Sequence, residues 1–155
     1  MKIILFRFEK EKIHYLESDI NSGNITIGEK EKISLESTKS RGEKYQKISE
    51  ELQRIHTKYS PNLFACQIPQ KYKGAIKDEE SFANSVILNF FSHQNNIELL
   101  ELTPPIVRDK LSIPNKDFKE KLEQEKENIL NNYSIKKSDK LTDGFVFLSL
   151  LKDTF

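Results

Sequence analysis

The first 35 residues alternate apolar and polar positions with the period of β-strands. Residues 2–8 are strongly β-prone, and a charged turn separates them from a second short segment, residues 13–16. Residues 25–27 and 33–35 alternate on either side of a charged middle, which predicts an antiparallel ribbon or one long, bent strand. The chain is therefore expected to open with an antiparallel meander.

A helical period replaces this alternation after residue 40. Apolar residues recur three or four positions apart, which predicts a helix over about residues 40–58, and Ser60 and Pro61 end it. The members of this apolar face are Tyr45, Ile48, Leu52, Ile55 and Tyr59. Residues 63–68 form a near-continuous apolar run, as is typical of a strand in the centre of a sheet.

The second half of the chain continues with helices and one more strand. Acidic residues from Asp78 favour a helix start, and the helix has a broad apolar face of Phe82, Val86, Ile87, Phe90 and Phe91. Residues 97–102 predict a strand, after which Thr103 is expected to cap a short helix opened by two prolines. Further helices are predicted over residues 117–130 and about 138–152.

The order of these elements is β-β-β-α-β-α-β-α-α-α. Its two β-α-β steps require parallel strands, so the fold class is α/β, with a mixed sheet that has an antiparallel N-terminal meander and is flanked by helices. At 155 residues, the chain is expected to form a single domain, residues 1–155.

Composition excludes several classes of function. The net charge is only +1 with 32% charged residues, so a nucleic-acid-binding surface would have to be local. Cys66 is the only cysteine, which excludes an internal disulfide and a Cys-based zinc site. No apolar run reaches 18 residues, so we expect no membrane span and a cytoplasmic protein. His14, expected on an exposed strand face, and the other two histidines, His56 and His93, show no ligand spacing.

Several segments resemble one enzyme family in order and spacing. Residues 40–52, SRGEKYQKISEEL, are similar to a helix pattern ERLxxIyxxL, and residues 58–67, KYSPNLFACQ, are similar to kyxPDxxAIE. Residues 96–108, NIELLELTPPIVR, resemble GIPVxEYTPxxVK. Residues 114–118 and 140–146 correspond to a loop ASKEQV and a closing helix DAADALA. The family is that of the RuvC-like Holliday-junction resolvases, and the resemblance implies an RNase H-like fold.

The resemblance also implies a site with a changed set of ligands. The family cleaves phosphodiesters with two divalent metals held by four acids, because two hard cations require oxygen ligands and several negative charges. The corresponding positions here are Arg7, Gln67, Lys140 and Asp143, and Glu9 is the acid nearest to the first of them. A cation in such a pocket would repel Mg²⁺ and could instead pair with Asp143. Gln67 could equally serve only to satisfy the backbone at a strand end, and Asp143 only to complement a helix dipole.

Three interpretations of the function remain open. The first is a diverged RuvC-like protein that binds branched or structured DNA without nuclease activity or a metal cofactor. The second is an active endonuclease dependent on Mg²⁺ or Mn²⁺, in which Asp143, Asp139 and Glu9 rebuild the site around Gln67. Asp139 and Asp143 are four residues apart and would share a helix face. The third is a protein-interaction subunit on the same scaffold.

Two surfaces are candidates for contacts with partners. Basic and aromatic side chains suited to gripping phosphates and stacking on bases are expected in a loop and near the third helix. They are Lys71, Tyr72, Lys73, Lys77, Arg108, Lys110, Lys116 and Lys119. Phe82, Val86 and Phe90 belong either to the core or to a homodimer contact like the one that the corresponding helix makes in resolvases.

Overall fold

A five-stranded mixed sheet forms the centre of the fold. The computed structural model of the protein describes residues 1–68, 71–72, 75–76 and 78–155, with the backbone alone for 71–72 and 75–76. The sheet consists of β1 (Lys2–Phe8), β2 (Lys12–Asn21), β3 (Asn24–Ser34), β4 (Leu63–Gln67) and β7 (Glu98–Leu102). A separate hairpin consists of β5 (Lys71–Tyr72) and β6 (Ala75–Ile76). The strand order in the sheet is β3-β2-β1-β4-β7.

The pairing confirms the mixed sheet and the N-terminal meander. β1 pairs antiparallel with β2, and β2 pairs antiparallel with β3. β3 is one long strand, and the register against it shifts between Leu16 and Ser18, so the single bent strand is the correct alternative. β4 lies between β1 and β7 and is parallel to both, as expected for strands joined by helices.

In the part of the chain that the structure describes, five helices flank the sheet: α1 (Arg41–Tyr59), α2 (Glu79–Gln94), α3 (Pro104–Leu111), α4 (Asn115–Asn132) and α5 (Thr142–Leu151), after which Lys152–Thr154 form a 3₁₀ turn. The Ser40 side chain caps α1 by accepting a hydrogen bond from the Glu43 N–H at 3.1 Å. Thr103 occupies the N-cap position of α3 and two prolines open the helix, as predicted, but the Thr103 side chain makes no capping hydrogen bond. Among the described residues, no helix is long and apolar enough to cross a membrane.

The last helix begins later than the sequence predicts. Its first residue is Thr142, and Asp139 lies in the preceding turn, where its carboxylate accepts a hydrogen bond from the Leu141 N–H at 3.2 Å. The Thr142 hydroxyl donates to the Lys136 carbonyl at 2.7 Å and stabilises that turn. The prediction that Asp139 and Asp143 share a face of one helix is therefore wrong.

Strand alternation divides the interior into two cores. Along β1, Ile4 and Phe6 face one side of the sheet and Ile3 and Leu5 face the other. The first core includes Tyr15, Leu52, Ile55, Phe64, Cys66, Leu88 and Phe91, which bring α1 and α2 against the sheet. The second core includes Leu63, Ala65, Val107, Phe118, Ile129, Phe145 and Leu148, which bring α3, α4 and α5 against the opposite face.

The apolar face of α2 is only partly buried. Leu88 is fully buried and Phe91 is 5% exposed, whereas Val86 is 47% exposed and Phe90 is 60% exposed. The helix thus packs one edge of its apolar face into the core and leaves the other edge on the surface. An exposed phenylalanine next to a valine on one helix is a small apolar patch of the kind that marks contact surfaces.

α5 approaches the sheet closely at Gly144. A Cβ atom at this position would lie 3.0 Å from Leu5 Cδ1 and 3.6 Å from Gln67 Cβ. Both neighbours come from adjacent strands, β1 and β4. The absence of a side chain at Gly144 therefore allows the start of α5 to rest directly on the carboxyl ends of these strands.

Replacing Gly144 with valine should lower the free energy of unfolding by about 1–3 kcal/mol, because the added carbons overpack against buried Leu5. Chemical denaturation measures the change. The matched control is Gly42→Val in the first turn of α1, where a Cβ meets only Ser40 Oγ at 3.8 Å, and it should change stability by less than about 0.5 kcal/mol. Equal effects of the two substitutions would show that the contact at Gly144 does not constrain α5.

Candidate functional site at the carboxyl ends of the central strands

Three parallel strands end at the same edge of the sheet. β1, β4 and β7 run in one direction, so Arg7 near the end of β1 and Gln67 at the end of β4 lie side by side at this edge. Arg7 comes two positions after Leu5, and Gln67 comes two positions after Ala65. Leu5 and Ala65 belong to the core that packs against α5, so Arg7 and Gln67 lie on the α5 face of the sheet. Gly144 rests on Leu5 and Gln67, so Gln67 lies between Arg7 on the neighbouring strand and Asp143 at the start of α5.

Glu9 is held between two basic side chains. Its Oε2 lies 3.1 Å from His14 Nε2, and the Lys140 Nζ donates to its Oε1 at 3.2 Å. Partial burial acts to raise the pKa of Glu9, but the hydrogen bonds with His14 and Lys140 together outweigh burial and hold the pKa below its usual value. Glu9 is therefore ionised at neutral pH and already neutralised by a lysine.

The position expected for His14 is wrong. Its side chain is only 15% exposed, and it faces the candidate site instead of solvent. The reason is the register of the first hairpin, which places His14 directly opposite Arg7 and so on the same face of the sheet. His56 lies beside Phe91, a residue of the first core, and His93 is in the last turn of α2.

Asp139, the residue before Lys140, forms an ion pair with Lys30 of β3. Burial acts to raise its pKa, but the bonds from the Lys30 side chain and the Leu141 N–H lower it overall. With His14, Lys30, Lys32 and Lys140 it lines a cavity of about 350 Å³. Basic groups outnumber carboxylates in the lining of this cavity.

Asp143 is in the first turn of α5 and forms an ion pair with Lys126 of α4 at 3.1 Å. The two residues line a second cavity, of about 190 Å³, together with Gln67 and Glu123. A cation does pair with Asp143, as expected. It is Lys126 of α4 and not a residue at one of the positions where the family has its acids. An acidic residue in the first turn also complements the helix dipole, so both interpretations of Asp143 fit its position.

Two polar atoms of the site have no partner. Arg7 Nε and Gln67 Oε1 are buried, and neither makes a hydrogen bond with any residue that the structure describes. The alternative in which the Gln67 carbonyl oxygen satisfies the backbone at the strand end therefore finds no support. Buried polar groups are normally hydrogen-bonded, so unpaired atoms of this kind point to a bound group or to function.

The side chains at this edge do not fit a pair of divalent metal ions. Arg7 and Lys140 are cations, Gln67 is neutral, and the carboxylates of Glu9 and Asp143 are each neutralised by a lysine. In the described part of the chain, no group of three histidine, cysteine, aspartate or glutamate side chains is arranged to hold a metal ion. A two-metal centre needs several uncompensated negative charges, which this arrangement does not supply.

The residues predicted to contact DNA lie in three places. Lys71 and Tyr72 form β5, whose backbone alone is described, and Lys73 and Lys77 lie outside the described residues. In the last turn of α3, Arg108 forms an ion pair with Asp109 at 3.1 Å. The exposed basic side chains of α3 and the start of α4 are Lys110, Lys116 and Lys119. Their contacts with DNA remain predictions.

Sequence reasoning missed the contributions of His14, Lys30 and Lys126. The short turn between residues 8 and 12 contains enough information to pair Arg7 with His14, so this contact was accessible from the sequence. Lys30 and Lys126 reach the site from β3 and α4 across 109 and 17 residues of chain. No local pattern indicates such contacts.

Replacing Lys140 with methionine should raise the pKa of Glu9, because the substitution removes one hydrogen bond and one positive charge. NMR titration of the Glu9 side-chain carboxyl carbon measures the pKa directly. Lys32→Met, a nearby lysine with no described ion pair, is the control and should leave the pKa of Glu9 unchanged.

The same contact should affect stability at low pH. The folded wild type holds the pKa of Glu9 below the usual 4.5, so this stabilisation is present above pH 4.5 and is lost as the pH falls below it. As the pH falls below 4.5, the free energy of unfolding of Lys140→Met should therefore decrease less than that of the wild type. An unchanged pKa of Glu9 in the variant would contradict the described pair.

Comparison with known proteins places the fold. No protein-family model matches the sequence, and no curated protein does. T. thermophilus RuvC in complex with Holliday junction substrate matches with a TM-score of 0.67 and 9% identity over 97% of this chain and 91% of that chain. The fowlpox virus resolvase with Holliday junction DNA matches at 0.55 and 16% identity, over 100% and 99% of the two chains. The yeast mitochondrial Holliday junction resolvase Ydc2 matches at 0.57 and 16% identity, over 97% and 77%. The chain therefore has the RNase H-like α/β fold of these resolvases.

Proposed function

We propose that the protein binds branched or structured DNA and does not cleave it. The observation that carries the proposal is a resolvase fold whose catalytic edge holds cations in ion pairs with the remaining carboxylates. Fold alone does not imply function, so the proposal rests on this combination and not on the similarity by itself.

The extent of the structural match supports DNA as the partner. The matches to RuvC and to the fowlpox resolvase cover nearly the whole of both chains, and both of those proteins are seen with Holliday junction DNA. Exposed Lys110, Lys116 and Lys119 supply positive charge near the end of α3 and the start of α4. Binding of this kind reads the shape and the phosphates of the DNA more than its bases.

Electrostatics supports the absence of cleavage. At an effective dielectric of 20, two like unit charges 4 Å apart repel by about 4 kcal/mol. Lys140 and Arg7 would therefore oppose the binding of a divalent cation at this edge. Without metal ions to activate water and stabilise the leaving oxygen, the family's route to hydrolysis has no basis in this site.

A second candidate function is metal-dependent cleavage by a rearranged site. It is favoured by one observation, that Glu9, Asp139 and Asp143 all remain at the same end of the sheet. A divalent metal would have to displace Lys140, Lys30 and Lys126 from these carboxylates. The Gln67 carbonyl oxygen, which has no described partner, could serve as a further ligand.

A third candidate function, protein interaction, is favoured by the exposed edge of α2. Val86 and Phe90 are exposed, and Phe82 lies on the same helix one turn earlier. This edge would then bind a partner protein; under the DNA-binding proposal the same edge would form the homodimer contact that the resemblance to resolvases implies. The dimer would present two copies of the charged edge to a four-armed DNA.

The wild-type protein should bind a labelled four-way junction more tightly than a duplex of the same length, and its affinity should fall steeply with salt because phosphate contacts release counterions. Fluorescence anisotropy measures both titrations. No binding at low salt, or equal affinity for the two DNAs, would rule out the proposed function.

Incubation of labelled junction with Mg²⁺ or Mn²⁺ should yield no cleavage products. Asp143→Asn, prepared in parallel, tests the alternative, because it removes one carboxylate and leaves a side chain of the same size. Cleavage by the wild type that is abolished in this variant would establish the endonuclease.

Phe90→Glu should yield a monomer if α2 forms the homodimer contact, because the substitution places a charge in the apolar patch. Sedimentation velocity gives the mass of the wild type and the variant. Asn131→Glu, an exposed position of α4 on the opposite side of the sheet, is the control and should retain the wild-type mass. A wild type that sediments as a monomer at all concentrations would exclude the dimer.

A further inference from the structure

Arg7 stands outside the ion pairs at the carboxyl edge of the sheet. The carboxylates of Glu9, Asp139 and Asp143 are paired with Lys140, Lys30 and Lys126, respectively. Glu123 also lines the cavity at Asp143 and has no described ion pair. Arg7 makes no ion pair with any of the described residues.

Among the described residues, no carboxylate lies within ion-pair distance of Arg7. Its Nε is buried and has no described hydrogen-bond partner. Its neighbour across the β1–β2 register is His14, whose Nε2 is already in contact with Glu9. The charge of Arg7 is felt by Asp78, whose pKa is lowered mainly by hydrogen bonds from Ser81 and only slightly by Arg7.

The buried Nε of Arg7 is in an unfavourable position, because it has lost water without gaining an acceptor. Arginine presents planar N–H donors in a fork that matches the oxygens of a phosphate, and such bonds are shorter and stronger than neutral ones. The ligand chemistry that relieves Arg7 is therefore an oxyanion. For a protein of this fold, the oxyanion at hand is a backbone phosphate of DNA.

We propose that Arg7 forms a site that binds a DNA phosphate directly at the edge where resolvases hold metal ions, with a second cation from Lys140, which is paired with Glu9 at the same edge. The assignment of the phosphate to DNA rests on the proposed function, whereas the anion site itself does not. The ligand bound at this edge is then an anion, whereas a metal centre would bind cations.

Access to the site is consistent with this role. Arg7 is partly exposed in spite of its buried Nε, and the Lys140 side chain is 56% exposed. Two cavities lie at the same edge, one lined by Gln67, Lys126 and Asp143 and the other by Lys30, Lys140 and Asp139. Lysines line both cavities beside the carboxylates, and a phosphate can reach the exposed Lys140 from solvent.

The first test compares junction binding in EDTA and in Mg²⁺. The affinity of the wild type should be unchanged or higher in EDTA, because the site needs no metal and Mg²⁺ competes for phosphates. Binding that requires Mg²⁺ would overturn the direct phosphate contact while leaving DNA binding itself established.

The second test removes the two cations singly. Arg7→Met and Lys140→Met should each weaken junction binding by about tenfold, and the slope of log affinity against log salt should fall by about 0.9 for each lost contact. Lys47→Met on α1, whose Nζ donates to Ser37 on the opposite side of the sheet, should bind as the wild type does. Wild-type affinity in both site variants would overturn the inference.

Because Arg7 is partly buried, its replacement is checked by thermal unfolding. Lys140 is exposed, so Lys140→Met keeps the comparison decisive even if the Arg7 variant does not fold.

The third test needs no DNA. Titration of the wild type with inorganic phosphate should shift the Nε–H NMR signal of Arg7 and leave those of Arg41 and Arg54 in place. If phosphate shifts the Arg7 Nε–H signal but the protein does not bind a junction, the proposed function is wrong and the anion site is supported. Absence of a shift would overturn the anion site, whatever the outcome with DNA.

Discussion

The pairing of opposite charges where three parallel strands end is the constraint on which the rest of the structure depends. The direction of β1, β4 and β7 forces their last side chains to one edge, and Gly144 lets α5 close over that edge. The charges gathered there range from partly buried to exposed, and opposite charges at this short range attract one another. In this protein Glu9 and Asp143 are balanced by Lys140 and Lys126.

This balance explains how the fold can persist while its chemistry changes. A metal centre satisfies a group of carboxylates with external cations, whereas here lysines supplied by the chain do so. The replacement keeps the edge close to neutral and removes the requirement for a metal ion. The ion pair between Lys126 and Asp143 also connects α4, a highly charged helix, to α5, which packs on the sheet.

Much of the fold could be predicted because its elements have strong local patterns. The apolar face of α1 and the run of β4 are visible in the sequence, and the β-α-β order then fixes parallel pairing. The sequence pattern predicts too early a start for α5, because the turn around Asp139 is set by the Leu141 backbone N–H, which donates to the Asp139 carboxylate, and by Lys30, which comes from a distant strand. The composition of the site could be inferred only through resemblance, since the residues that form it are spread over the whole chain.

The partners of the charged groups were the part that could not be predicted. Strand register assigns His14 to Arg7, but nothing in the local sequence assigns Lys126 to Asp143. Contacts of this type depend on the packing angle of α4 on α5, which is decided by apolar residues such as Phe118 and Ile129. Tertiary packing thus determined the electrostatics of the site.

The buried cysteine of the central strand has a practical consequence. Cys66 lies in β4 with neighbours on both sides, is 1% exposed, and burial raises the pKa of its thiol. A thiol reagent can reach it only when the strands separate, and the chain has no other sulfhydryl to compete. The rate at which a thiol reagent modifies Cys66 in the native protein therefore measures how often the sheet opens, and no engineered label is needed.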